Sequence, residues 1–136
     1  MNHQIKIGEH VISPGTGAYI VAEMSGNHRA LRIIQAAKES GADAIKLQTY
    51  TADTITLDCD DPCFQITQGT LWDGTTLHRL YEKAYTPWEW QPGLQKAAND
   101  MGLDFFSSPF DPTSVDFLER LKVPAYKVAS FEITDI

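Results

Sequence analysis

The chain has 136 residues, 43% of them hydrophobic, and a net charge of −7. That is enough for one domain with a core, and the acidity excludes a broad nucleic-acid-binding face while leaving room for a local basic pocket. No stretch approaches the roughly 20 apolar residues of a membrane span, and "MNHQIKIGEH" has no apolar leader run, so no membrane contact and a cytoplasmic location are expected. Residues 4–12, "QIKIGEHVI", alternate around Gly8 and predict a small hairpin. "AYIVAE", residues 18–23, reads as a strand buried on both faces and ending in a carboxylate, Glu23. In "RALRIIQAAKESG" the apolar residues Leu31, Ile34, Ala37 and Ala30, Ile33 recur at helical spacing, with Gly41 as the stop. "AIKLQTY", residues 44–50, is the next strand.

Residues 51–75 are rich in Asp, Thr and Gly and predict a long loop, which in a compact domain is usually functional. It contains Cys59 and Cys63, two reduced thiols with no accompanying ligand pattern. "TLHRLYEKAY" predicts a short helix. The next helix is expected from Thr86 as N-cap, with Pro87 at the first position and Glu89 completing a capping box, although Pro92 and Gly93 weaken its first half. "LDFFSSP", residues 103–109, is a strand, and "DPTSVDFLERLKV" a helix started by Asp111 and Pro112. "AYKVAS", residues 125–130, predicts a fourth strand.

This alternation of strand and helix is the βα repeat of a parallel sheet with right-handed crossovers. An open doubly wound sheet and a barrel both fit. No G-x-G-x-x-G loop joins a strand to a helix. Polar residues instead gather at strand ends: Glu23, Gln48, Ser107, Ser108, Ser130 and Glu132. That distribution favours the first half of a (β/α)8 TIM barrel, an α/β fold of parallel units with an N-terminal β-hairpin, over residues 1–136.

Two lysines stand within apolar strands, Lys46 and Lys127. An unpaired buried ammonium costs several kcal/mol, roughly, so each needs an anion. Lys46 and Gln48 share a strand face. With hydroxyls nearby, two ammonium groups make an oxyanion or phosphate site. A lysine nucleophile forming a Schiff base, and plain ion pairs to Glu23 or Glu132, are the alternatives. The repetition of the pattern favours a site. His28 follows the first strand as a possible site residue or loop residue, whereas His3, His10 and His78 read as surface. Trp88 and Trp90 read as packing, and Trp72 is left open in the long loop.

"YIVAEMSGNH", "GADAIKLQTYTADTIT" and "FFSSPFDPTSVDFLERLKVPAYKVASFEITD" resemble the sialic acid synthase family, the phosphoenolpyruvate-dependent nonulosonic acid synthases. "LWDGTTLHRLYEKAYTPWEW" is similar to the pseudaminic acid branch. The resemblance implies a (β/α)8 barrel followed by an antifreeze-like C-terminal domain, and condensation of phosphoenolpyruvate with an open-chain N-acetylated amino sugar, releasing phosphate. The acceptor for this branch would be a 2,4-diacetamido-2,4,6-trideoxy-altrose; the N-acetylneuraminate and legionaminate synthases, or a non-catalytic anion-binding half-barrel, are the alternatives. Carried over by motif, Lys46 and Lys127 would bind phosphoenolpyruvate, Ser108 and Ser130 its phosphate or carboxylate, and Gln48 and Glu132 the sugar. Glu23 would stand near the reacting atoms. A divalent metal, manganese or magnesium, would hold the aldehyde through ligands on later strands, outside this chain, and the full-length protein would be a homodimer. The sequence departs from the family pattern at "NHRALRII", where the family carries further residues before the helix. It also stops after the fourth predicted strand, so the second half of the barrel and the C-terminal domain are expected to be absent and this chain alone inactive.

Overall fold

The computed structural model describes residues 4–25 and 29–134. His3 and His28, expected as a surface and a possible site residue, lie outside the described residues. Strands β1 (Ile5–Ile7) and β2 (His10–Ile12) form the antiparallel hairpin. Strands β3 (Val21–Glu23), β4 (Ala44–Thr49) and β5 (Asp104–Pro109) form a parallel sheet in that order. Helices α1 (Ala30–Glu39), α2 (Ala52–Ile55), α3 (Leu77–Ala84), α4 (Gln91–Asp100) and α5 (Pro112–Leu121) complete the βα repeat.

Strand period two divides the sheet between two environments. Ile45 and Leu47 are fully buried and Phe105 is 1% exposed, in a core cluster with Ile34, Leu94, Ala98 and Leu118 from the helices. Each such Ile, Leu or Phe side chain contributes about 1.5–3 kcal/mol when fully buried. The opposite face carries Lys46, Gln48, Phe106 and Ser108 in register. Gly41 ends α1 at φ +83°, as expected. Leu31, expected in the helix stripe, is 58% exposed, while Ala30, Ile34 and Ala37 make the buried face.

The hairpin caps the N-terminal ends of the parallel strands. His10 Nδ1 lies 2.8 Å from Asp104 Oδ2, and Tyr19 donates to the same oxygen at 2.7 Å. The Ile20 amide donates to Asp43 at 2.7 Å. Burial, then the bond to Asp104, pushes the Tyr19 phenol well above its ordinary pKa. His10 therefore serves as a strut and not as a free surface residue. Gly8 is required here, because a Cβ on it would stand 2.0 Å from Asp104 Oδ1 and its φ is +55°.

Three expectations need correction. The helix expected from Thr86 starts later, because residues Trp88–Trp90 form a 3₁₀ turn and α4 begins at Gln91. Pro92 then occupies the first turn, where its missing N–H costs nothing. The long loop contains α2 and a second 3₁₀ turn, Pro62–Phe64. The strand expected at residues 125–130 is reduced to one parallel bridge, Ser107 to Tyr126, with the Lys127 amide donating to Ser107 O at 3.1 Å. Tyr126, Lys127 and Val128 are exposed, so the ladder is not propped from its outer side.

Candidate functional site

The register places Glu23 beside Lys46, and Gln48 beside Ser108, at the C-terminal half of the sheet. Lys46 Nζ lies 3.0 Å from Glu23 Oε1, and Gln48 Nε2 donates to the same oxygen at 3.0 Å. Lys46 is buried, whereas the Glu23 side chain is 53% exposed. One end of the pair is therefore desolvated and the other open to solvent. The hydrogen bond from Lys46 holds the Glu23 carboxyl below the usual carboxylate range; burial opposes this, while Gln48 and the charges of Lys46 and Lys127 reinforce it. Glu23 is thus ionised at neutral pH. Ser108 is buried on the same face, next to Gln48.

Lys127 is exposed, not buried as the strand pattern suggested, and acts on Glu23 only through its charge. Ser130 is exposed. Glu132 is half-buried in a hollow of about 440 Å³ over the turn from β5 to α5, with Phe110, Asp111, Val115 and Val128, and its Oε2 is buried without a hydrogen-bond partner among the described residues. The structure thus gathers Glu23, Lys46, Gln48 and Ser108 on one face of the sheet, while Glu132 lines the hollow over the β5–α5 turn and Ser130 is exposed on the segment bridged to β5. Cys59 and Cys63 are both free thiols, as expected.

A second polar layer supports these strands from behind. Thr49 Oγ1 donates to Gln91 Oε1 at 3.0 Å and meets Ser107 Oγ at 2.7 Å, all three fully buried. Ser107 therefore faces the helices rather than the open face. Trp88 donates to the Tyr50 carbonyl at 3.1 Å and packs on Phe117, which accords with a packing role. Sequence reasoning missed Thr49 and Gln91; a threonine and a glutamine flanking apolar runs were the only signals. It also misread His78, which is buried and 2.9 Å from Asp53. A separate cleft of about 760 Å³ lies between the starts of α1 and α4, lined by residues including Arg32, Glu89 and Trp90, and holds none of the Lys46 cluster.

A parallel (β/α) sheet with a carboxylate, a lysine, an amide and a hydroxyl on one face near its strand ends defines the class: a barrel-type α/β domain with a candidate polar site at its strand ends. The likeness to solved structures agrees. Sialic acid synthetase from Leptospira borgpetersenii serovar Hardjo-bovis superposes with a TM-score of 0.80 at 24% identity, over 99% of this chain and 44% of that one, which establishes the fold. Spore coat polysaccharide biosynthesis protein SpsE from Bacillus subtilis gives 0.70 at 27% identity, over 96% of this chain and 34% of that one.

The NeuB family model matches residues 33–136, and the chain belongs to that family. It is 49% identical over 122 residues to pseudaminic acid synthase of Campylobacter jejuni subsp. jejuni serotype O:2, covering 86% of this chain and 35% of the relative. It is 34% identical over 123 residues to N,N'-diacetyllegionaminic acid synthase of Legionella pneumophila, covering 87% and 34%. The chain spans about a third of the length of the curated relatives it matches.

Proposed function

We propose that this chain carries the first strands of a phosphoenolpyruvate-dependent synthase that makes pseudaminic acid from 2,4-diacetamido-2,4,6-trideoxy-altrose in the cytoplasm. The observation that carries this reading is the 49% identity to pseudaminic acid synthases, against 34% to a legionaminic acid synthase. The Lys46 face supports it chemically. Phosphoenolpyruvate is a compact anion; a buried lysine whose ion-pair partner Glu23 is half open to solvent can exchange part of that pairing for the ligand's phosphate. Lys127 adds positive charge from the neighbouring segment, and the Ser108 and Ser130 hydroxyls donate to phosphate or carboxylate oxygens. Gln48 and Glu132 contact the sugar. The enol carbon forms the new bond to the aldehyde carbon of the open-chain sugar, whose C=O π pair moves onto oxygen and takes up a proton to become a hydroxyl. Water adds to the resulting cationic carbon, and phosphate departs with the C–O bond electrons. Glu23, an ionised acceptor beside Lys46, holds a proton in transit.

Ammonium groups fixed where charge moves onto phosphate provide electrostatic preorganisation. An ion-paired Lys46 and an exposed Lys127 suit non-covalent binding better than an imine, which requires an activated amine. Among the described residues no group of three or more His, Cys, Asp or Glu could hold a metal ion. The divalent metal, manganese or magnesium, is part of the same proposal: held by ligands on later strands, it would polarise the sugar aldehyde, and the steps above are those of this chain's own residues. The homodimer is part of the same proposal. The deciding assay is phosphate release by the whole synthase that carries these strands, with phosphoenolpyruvate and each sugar in turn. Release that needs both substrates and prefers the altrose supports the reading. Faster turnover of a legionaminate or N-acetylneuraminate precursor moves the assignment to that branch, and no release with any of them sinks it.

A further inference from the structure

One buried side chain ties the segment after β4 to α3. His78, the second residue of α3, is 7% exposed. Its Nε2 lies 2.9 Å from Asp53 Oδ1 on α2, and its Nδ1 3.8 Å from Asp58 Oδ1 in the following loop. Both ring nitrogens thus face carboxylates. An imidazolium donates toward both, whereas a neutral ring turns one lone pair toward a carboxylate oxygen. Glu82, one turn along α3, is the third acidic group acting on the ring. Thr51 and Tyr85 line the same hollow, of about 280 Å³. The neighbouring Arg79 reaches Asp60 at 4.0 Å, a solvent-exposed pair that adds little. α3 also abuts the site-bearing strands: Tyr81 packs edge-on against Tyr50, which follows β4, at 5.4 Å, and Tyr50 against Phe110, which follows β5, at 5.7 Å.

We infer that His78 is a pH-sensitive latch, which as imidazolium clamps residues 52–60 onto α3 beside the strand ends and on losing its proton lets them loosen. The sign follows from the partners. The bond to Asp53 raises the imidazole pKa above its ordinary 6.5, burial opposes this, and Asp58 and Glu82 add to the rise. A raised folded-state pKa stabilises the clamp fully below the unfolded value and loses that stabilisation as pH climbs through the folded one. The latch is independent of the reaction proposed above, and its test uses no substrate.

The test is backbone hydrogen–deuterium exchange of the purified protein across neutral to alkaline pH, corrected for intrinsic rates. Peptides over residues 52–66 are expected to lose protection by more than about threefold as His78 titrates, while α4 and α5 hold theirs. His78→Gln is expected to abolish the pH step. Asp53→Asn is expected to move it to lower pH; the Asp53 side chain is 88% exposed, so this variant keeps the packing should His78→Gln fail to fold. A wild-type protein with no step, or a step unchanged in the variants, overturns the latch.

Discussion

Lys46 and Glu23 are unequal partners. The ammonium is buried and the carboxylate half open, so removing one or the other has different consequences. Lys46→Met keeps the aliphatic stem and leaves behind a carboxylate that water can reach. Glu23→Gln leaves a buried ammonium without its anion, and breaking a pair from that side is the costly direction. Glu23→Gln is therefore expected to destabilise the fold by about 1–2 kcal/mol after allowance for solvent screening, and Lys46→Met by less. Activity is expected to run the other way. Lys46→Met should lower kcat/KM for phosphoenolpyruvate about 10²–10³-fold, the magnitude for loss of one preorganised charge-stabilising donor. Urea titration, and steady-state kinetics of the whole synthase that carries these strands, read the two effects, and a kcat/KM that barely moves would remove Lys46 from the site. Because the Glu23 pKa is depressed, the pair's contribution to stability is present above the ordinary value of 4.5 and fades as pH falls through the folded value.

At the level of elements, local chemistry decides the boundaries that were legible. Asp111 starts α5 with its carboxylate accepting from the amides of Thr113 at 2.8 Å and Ser114 at 3.3 Å and from the Thr113 hydroxyl, and Pro112 fills the first position. Burial pushes the Asp111 carboxyl up, but these bonds from Thr113 and Ser114 together hold it below its ordinary 3.8. Asp111→Ala is expected to cost about 0.5–2 kcal/mol by urea denaturation. The difference from wild type should shrink in acid, as pH falls through the lowered value. A cap, a glycine stop and a two-residue strand period are written within a few residues of one another, so the Asp111 start, the Gly41 stop and the shared face of Lys46 and Gln48 could be read directly. What stayed hidden depends on distant partners. His78 is buried by α2 and the loop behind it, some 20 residues earlier in sequence, as its bonds to Asp53 and Asp58 record. Lys127 has a strand's sequence but pairs along one side only, and a strand with one flank unpaired exposes the residues that apolar patterning assigns to the interior.

At the scale of the whole chain, the three-stranded sheet has two edges left uncovered among the described residues. On one, β3 pairs with β4 alone, and Ile20 and Val21 are 50% and 38% exposed beside a shallow apolar hollow formed with Ile33, Ala36 and Ala42. On the other, the segment bridged to β5 exposes Val128 at 57%, Phe131 at 91% and Ile133 at 67%. Open strand edges with apolar neighbours are templates for pairing with another chain. The net charge of −7 opposes association over distance, but salt confines that repulsion to about 10 Å at 0.1 M. The 136-residue chain on its own is therefore expected to self-associate, increasingly so as ionic strength rises. Light scattering coupled to size exclusion checks this over a concentration series. Val21→Lys places a charge on the β3 edge and should shift the distribution toward monomer, because an edge lysine is desolvated when a partner strand pairs beside it. A monomer at every concentration and salt would mean that the edges are blunted by the twist of the sheet or by the exposed segment folding over them, and would rule out association through strand edges.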